Sequence, residues 1–191
     1  MRKLISGMQI SLDGKVTGAE GFADWVDEWS DHYEVTPRVD ACLLGAGMYP
    51  GYEQYWTAIR NAPDHPLPMT GKLPAPAEVD YARFTAQTPH YVLSSTLSHA
   101  LWPHTRFLRT VADVAALKQE KGKDIYLVGG GKIVASLLDA GLVDELTLTI
   151  HPLLAGQGTS LFGKLESRRA LALQGIRKLD SGLVSLTYTP G

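Results

Sequence analysis

Apolar residues fill positions 4–12 with Ser6, Gly7 and Gln9 set among them, which predicts a first strand whose small residues let something approach its backbone. Asp13-Gly14 then turns the chain. Trp25, Val26, Trp29 and Tyr33 recur at helical spacing and predict a short helix with an aromatic face over 25–33. A brief apolar run at 41–44 breaks at Gly45-Ala46-Gly47, and Tyr49, Tyr52, Tyr55 and Trp56 beyond it suggest a helix. Between Asn61 and Phe84 stand Pro63, Pro66, Pro68, Pro74 and Pro76 without a sustained period, the pattern of a long surface loop that serves as a lid or binding loop. Residues 91–93 and 105–108 read as short strands, and Thr110, three positions before Asp113, starts a helix running to about Lys121.

Residues 124–128 leave no polar face, since Ile125, Leu127 and Val128 are all apolar, so they predict a central strand cut off by Gly129-Gly130-Gly131. Residues 132–140 form the following helix, with Gly141 at its C-terminal cap. Leu and Thr alternate over 146–150, and 170–188 reads as two strands hinged at Asp180-Ser181-Gly182. Strands alternating with helices before a closing hairpin indicate an α/β fold: a central, mainly parallel sheet with an antiparallel edge strand and flanking helices. At 191 residues the chain is expected to form one domain, 1–191.

Charge and cysteine content narrow the partners. A formal net charge of -2 lacks the basic excess that a phosphate backbone demands, so nucleic acid is not expected. Cys42 is the only cysteine, which excludes an internal disulfide and a Cys-rich zinc site and suits a reducing compartment. No run of 18 apolar residues occurs, so no membrane span is expected and the location is read as cytoplasmic. His32, His65, His90, His99, His104 and His151 show no metal-ligand spacing, and no metal is expected.

The chemistry concentrates at 129–131. Three successive residues without Cβ let the main chain touch a ligand, and the helix after them offers unpaired N–H groups carrying partial positive charge, a combination that fits a pyrophosphate. A triple glycine by itself equally suits a tight connection with no ligand. It is neither the G-x-G-x-x-G fingerprint nor a P-loop, because Lys132 precedes Ile133. Two further strand ends supply matching pieces: Gly45-Ala46-Gly47 repeats the glycine turn, and Leu93-Ser94-Ser95 places two hydroxyls past another strand. A dinucleotide, with two phosphates, a ribose and an adenine, is large enough to need all three.

On these segments the sequence resembles the dihydrofolate reductase superfamily, and in particular stand-alone relatives of the reductase domain of the riboflavin-biosynthesis deaminase/reductase. The resemblance rests on Ser11-Leu12-Asp13-Gly14-Lys15, Leu43-Leu44-Gly45-Ala46-Gly47, Val92-Leu93-Ser94-Ser95, Leu127-Val128-Gly129-Gly130-Gly131-Lys132, and the stretch from Ile150-His151-Pro152 to Gly156-Gln157-Gly158, in that order. It implies a three-layer fold and an NADPH-dependent oxidoreductase acting on a small, pterin-like or ribosylaminopyrimidine-like substrate, commonly as a homodimer. By the same resemblance Gly129, Gly130, Gly131, Lys132 and Ile133 bind the pyrophosphate, and Gly45, Ala46, Gly47 and Met48 flank it from the other side. Leu93, Ser94 and Ser95 hold the adenosine part, and Ile10, Val16 and Thr17 lie near the nicotinamide.

Two departures accompany the resemblance. Many dihydrofolate reductases place an arginine where Ala46 stands, leaving Ser94, Ser95 and Lys132 to favour NADPH over NADH. Folate-reducing members also keep a carboxylate on the first helix, for which Asp27, Glu28 and Asp31 are candidates; Asp31 is the best placed relative to Trp25, and these two are the candidate catalytic residues. Trp25, Trp29 and Trp56 are either substrate walls or core. The deaminase signature, H-x-E with P-C-x-x-C, is missing, so a reductase without it is expected. The rival reading is a non-catalytic dinucleotide-binding or sensing module on the same fold.

Overall fold

The computed structural model describes residues 1–26, 34–67 and 71–191. Eight strands form one sheet in the order β4-β3-β2-β5-β1-β6-β8-β7. They are β1 (Leu4–Ser11), β2 (Val39–Gly45), β3 (His90–Leu93), β4 (Thr105–Leu108), β5 (Asp124–Gly129), β6 (Glu145–His151), β7 (Leu171–Lys178) and β8 (Val184–Pro190). The six from β4 to β6 run parallel, and β8 is antiparallel to both β6 and β7. The mainly parallel sheet with an antiparallel edge is the one the hydrophobic pattern implies.

Helices cover both faces. On one face, α3 (Val111–Gln119) and α4 (Gly131–Asp139) bury Val114, Leu117, Val134 and Leu137 against Leu4, Leu43 and Leu127. On the other, α1 (Tyr49–Asn61) and α2 (Pro76–Gln87) pack Tyr52, Trp56, Ile59 and Tyr81 against Ile5, Cys42, Leu44 and Val128. Trp56 is therefore a core residue. Burial on both faces explains why β5 and β2 read as unbroken apolar runs.

The expected loop over 61–84 is overturned in its second half, where α2 forms. Pro76 stands in the first turn, where its missing N–H costs nothing, and the Glu78 carboxylate accepts the Ala75 amide at 2.9 Å. Pro76 thus starts a helix, although among neighbouring prolines it carries the sequence pattern of a loop. Smaller corrections fall at element ends: β1 stops at Ser11, leaving Leu12 exposed, α3 stops at Gln119, and α4 starts at Gly131. Around Trp25 the backbone forms a turn, and the rest of the helix expected over 25–33 lies outside the described residues. Thr110 caps α3 as expected, its hydroxyl accepting the Asp113 amide at 3.3 Å while the Asp113 carboxylate accepts the Thr110 amide at 2.9 Å.

Buried polar groups tie the α1 face together. The Glu53 carboxylate, on α1, accepts the Tyr49 hydroxyl at 2.7 Å and the Leu101 and Trp102 amides at 2.8 and 2.7 Å, binding the loop before β4 to the helix. Beside it His90 is only 1% exposed and lies against Tyr52 and Trp102, with ring centroids 5.7 and 4.7 Å away. Its Nδ1 donates to the Thr88 carbonyl at 2.8 Å. Burial pushes its pKa down to about 4, so the fold holds the neutral ring. The unfolded chain takes up a proton near 6.5 and the folded chain resists until about 4, so stability is constant above 6.5 and falls between these values. Comparing His90→Leu with the parent by denaturant melts, the parent should lose about 3 kcal/mol more than the variant between pH 7 and pH 4.

Candidate active site

Because β4, β3, β2, β5, β1 and β6 are parallel, their carboxyl ends share one edge of the sheet. Within that edge β5 is inserted between β1 and β2. The chain leaves β2 for α1 on one face and leaves β5 for α4 on the other, so the two connections diverge and open a crevice between them. Leu44 is in register with Gly129, and Gly45 with Leu93, which brings the Gly45, Gly129 and Leu93 strand ends side by side. The Ala46 amide donates to the Leu93 carbonyl at 3.3 Å and locks two of these ends together.

The three glycines serve different purposes. A Cβ at Gly129 would lie 2.7 Å from the Met8 sulfur, and one at Gly131 would lie 3.2 Å from the Leu161 carbonyl oxygen, so both positions are closed by the protein's own packing. Gly130 has φ +98 and faces more open space, its nearest neighbours being Ile133 at 3.6 Å and Met48 at 3.9 Å. Helical bonds to the Gly130 carbonyl begin at Ile133 and Val134, so the Gly131 and Lys132 amides precede the ladder and point out of the helix start. Across the crevice, a Cβ on Gly47 would meet nothing within 4 Å. Ile133 packs under Gly45, 3.4 Å from where its Cβ would be. Two glycine turns with open backbone thus face each other, the geometry a pyrophosphate requires.

Past β3 the two serines separate in role. The Ser94 side chain is buried and accepts the Thr96 and Leu97 amides at 3.2 and 2.8 Å, shaping the turn, whereas Ser95 is exposed. Sequence reasoning did not single out Arg109, at the end of β4. Its Nη1 donates to the Ser94 and Leu97 carbonyls, both at 2.8 Å, and its guanidinium lies 5.5 Å from the Phe107 ring centroid. A cation therefore braces the loop that carries Ser95.

At the β1 end, Ile10 is buried in the core below α4, and Val16 packs against the same cluster. Thr17 accepts the Thr159 amide through its hydroxyl at 3.0 Å, and a Cβ on Gly158 would fall 1.9 Å from the Thr17 carbonyl oxygen, so the 13–18 and 153–160 loops are in backbone contact. Asp13 fastens them: its carboxylate accepts the Ser11 hydroxyl at 2.6 Å and the Ala155 and Gly156 amides at 2.9 and 2.8 Å. These bonds, the Ser11 hydroxyl first, hold its pKa down at about 2. The latched loops wall a cavity of about 370 Å³ whose lining includes Phe22, Asp24, Trp25, Leu153 and Leu154. The Trp25 indole Nε1 is buried and has no hydrogen-bond partner among the described residues.

On the face of the sheet away from α3 and α4, β1, β6 and β8 carry a polar row. Gln9, Thr149 and Ser185 are register partners across β1, β6 and β8, all buried, and the His151 Nε2 donates to Gln9 Oε1 at 2.8 Å. The Thr149 and Ser185 hydroxyls have no partner among the described residues. Trp25 is the one candidate catalytic residue the structure places at the cavity. Asp31, with Asp27, Glu28 and Trp29, lies outside the described residues. Among the described residues no group of three metal-ligating side chains occurs, and no helix is long and apolar enough to cross a membrane.

The chain is similar in sequence and fold to known proteins. The chain is 28% identical over 193 residues to the uncharacterized protein YyaP of Bacillus subtilis, covering 98% of this chain and 94% of that one. The crystal structure of a putative riboflavin biosynthesis protein from Shewanella sp. PV-4 superposes with a TM-score of 0.71 at 22% identity, over 99% of each chain. Dihydrofolate reductase from Enterococcus faecalis, complexed with NADP(H), superposes with a TM-score of 0.62 at 16% identity over 99% of this chain and 96% of that one. The fold is thus the dihydrofolate reductase-like, reductase-type one. Residues 2–185 match the RibD C-terminal domain, and the chain belongs to that family.

Proposed function

We propose that this chain is an NADPH-dependent reductase that passes a hydride to a small heteroaromatic substrate, pterin-like or ribosylaminopyrimidine-like. The observation that carries the reading is the pair of facing glycine turns at the ends of β2 and β5, set at the point where the connections diverge and backed by the start of α4. The Gly131 and Lys132 amides and the helix field neutralise a pyrophosphate, with Gly45, Ala46, Gly47 and Met48 opposite. Leu93 and Ser95 hold the adenosine end. Ile10, Val16 and Thr17, at the β1 end, set the nicotinamide between this cradle and the cavity beside Trp25.

The cofactor supplies the hydride, and the protein supplies placement. Trp25 and Phe22, in the lining of the cavity, wall a flat ring. A nicotinamide held there would supply a hydride to an electrophilic carbon, and Asp31 is the side chain proposed to give the proton that the adjoining nitrogen would then need. We propose a cytoplasmic enzyme that pairs with a second copy of itself.

The cation that many dihydrofolate reductases place at Ala46 is supplied here from β4. Arg109 uses Nη1 on the Ser94 and Leu97 carbonyls and has further N–H groups to offer a ribose phosphate held at Ser95.

Two measurements test the reading. Gly47 carries no positive φ and has open space around it, so Gly47→Leu leaves the fold intact while filling the phosphate approach. Titration calorimetry should show NADPH affinity falling about 100-fold, or ~2.7 kcal/mol, with an unchanged melting temperature; unchanged affinity would remove the pyrophosphate site from this crevice. The parent should bind NADPH about thirtyfold more tightly than NADH, Ala46→Arg should widen that ratio, and Arg109→Ala should narrow it about tenfold. Equal or tighter binding of NADH by the parent would overturn the preference for the phosphorylated cofactor. Loss of nicotinamide absorbance with pterin and aminopyrimidine substrates tests turnover, and binding without any oxidation would make the chain a sensing module instead.

A further inference from the structure

The cavity beside Trp25 carries charge of one sign only. Glu20 and Asp24 line it, both exposed, and neither carboxylate has a hydrogen-bond or ion-pair partner among the described residues. No lysine, arginine or histidine stands among the described lining residues, and Lys15, on the latched 13–18 loop, is not one of them. The sequence that follows Val26, residues 27–33, adds Asp27, Glu28 and Asp31 and contains no lysine or arginine.

Backbone donors around the cavity are already committed. The Gly18 amide donates to the Phe22 carbonyl at 2.7 Å, the Leu153 amide to the His151 carbonyl at 2.8 Å, and the Ala155 amide to the Asp13 carboxylate at 2.9 Å. Asp13 also takes the Gly156 amide, so the protein's own anion fills the pair of successive N–H groups at which a free anion would have settled. The crevice between β2 and β5 is the opposite case, since the Gly131 and Lys132 amides precede the helical ladder there and Arg109 has N–H groups to offer beyond its two carbonyl bonds. The chain thus concentrates its phosphate-binding chemistry in one place and withholds it from the other.

What the cavity does offer is apolar surface and acceptors. Phe22 and Leu154 are 47 and 73% exposed in its lining, and Leu12, 64% exposed, is tied to Leu153 through its amide at 2.8 Å. An ideal Cβ on Gly18 would lie 3.5 Å from both Trp25 Cζ3 and Asp24 Oδ1, so an indole edge and a carboxylate flank the same point of the wall. A flat ring with N–H groups on its rim finds aromatic contact and an acceptor together.

We infer that the substrate carries no phosphate: the cavity takes a neutral or cationic, amino-bearing heteroaromatic ring whose substituent is uncharged or apolar, and it rejects phosphorylated ribosides. This rests on the reductase reading above and narrows its two substrate kinds to their unphosphorylated members. A phosphate monoester brings about two negative charges and acceptor oxygens that require cations or free N–H groups once water is displaced. Glu20 and Asp24 repel it, and the bonded amides of Gly18, Leu153 and Ala155 give it nothing in return.

The test uses one compound in two forms, a ribosylaminouracil and its 5′-phosphate, each offered to the full chain with NADPH and followed by loss of nicotinamide absorbance. The kcat/KM of the unphosphorylated form should exceed that of the phosphate about thirtyfold at low salt, and the ratio should shrink as salt screens the repulsion. A variant with Glu20→Lys and Asp24→Asn should narrow the ratio about tenfold while NADPH affinity stays unchanged, and Glu20→Lys by itself carries this arm if the double variant does not fold. Should neither form be reduced, calorimetric titration of both forms and of a pterin into the full chain decides: binding of the riboside or the pterin without the phosphate upholds the inference while the reductase reading fails. A phosphate form reduced or bound as well as its partner, or no binding by any of the three, overturns it.

Discussion

The site depends on one piece of backbone pairing, the insertion of β5 between β1 and β2. Parallel hydrogen bonding on both its edges fixes where Gly129 falls, opposite Leu44, and hence where α4 begins. Without that insertion the glycine turns of β2 and β5 would not be neighbours. The cost is that β5 must bury both faces, which it does with Ile125 and Leu127 on one side and Tyr126 and Val128 on the other. Packing of this strand, remote from any ligand, thereby controls the spacing of the phosphate cradle.

The sheet faces divide labour. Toward α3 and α4 every strand offers aliphatic residues, while on β1, β6 and β8 the opposite face changes to Gln9, Thr149, His151 and Ser185. An apolar strand face needs only volume, whereas a buried row of hydroxyls and amides needs partners, so polar residues there carry a standing cost that the core face does not. Alternation within β6 builds both environments from one seven-residue strand.

Most of the strands were legible because their apolar runs are short and end in glycine or a turn residue, and the parallel order followed from strands alternating with helices. The cofactor cradle was legible for the same reason, since Gly45-Ala46-Gly47 and the triple glycine mark sharp exits from strands. α2 was not, because Pro76 carries the same letter whether it opens a helix or breaks one, and only Glu78 reaching back to the Ala75 amide distinguishes the two. Arg109 and Asp13 were missed as anchors because their partners, the carbonyls of residues 94 and 97 and the amides of 155 and 156, are backbone groups that leave no trace in residue identity. The division between Gly129, Gly130 and Gly131 was likewise invisible, as three identical residues answer to Met8, a left-handed backbone and the Leu161 carbonyl in turn.

The contact between Gly158 and Thr17, closed by the Asp13 carboxylate, makes two loops far apart in sequence into a single rigid wall. Ordering that wall is accomplished when the chain folds, so a molecule entering the cavity does not incur the entropic penalty of arranging it. Discrimination between candidate guests then depends on fit to a preset contour on this side, and whatever accommodation the cavity allows must come from the opposite bank, which includes Phe22, Asp24 and Trp25.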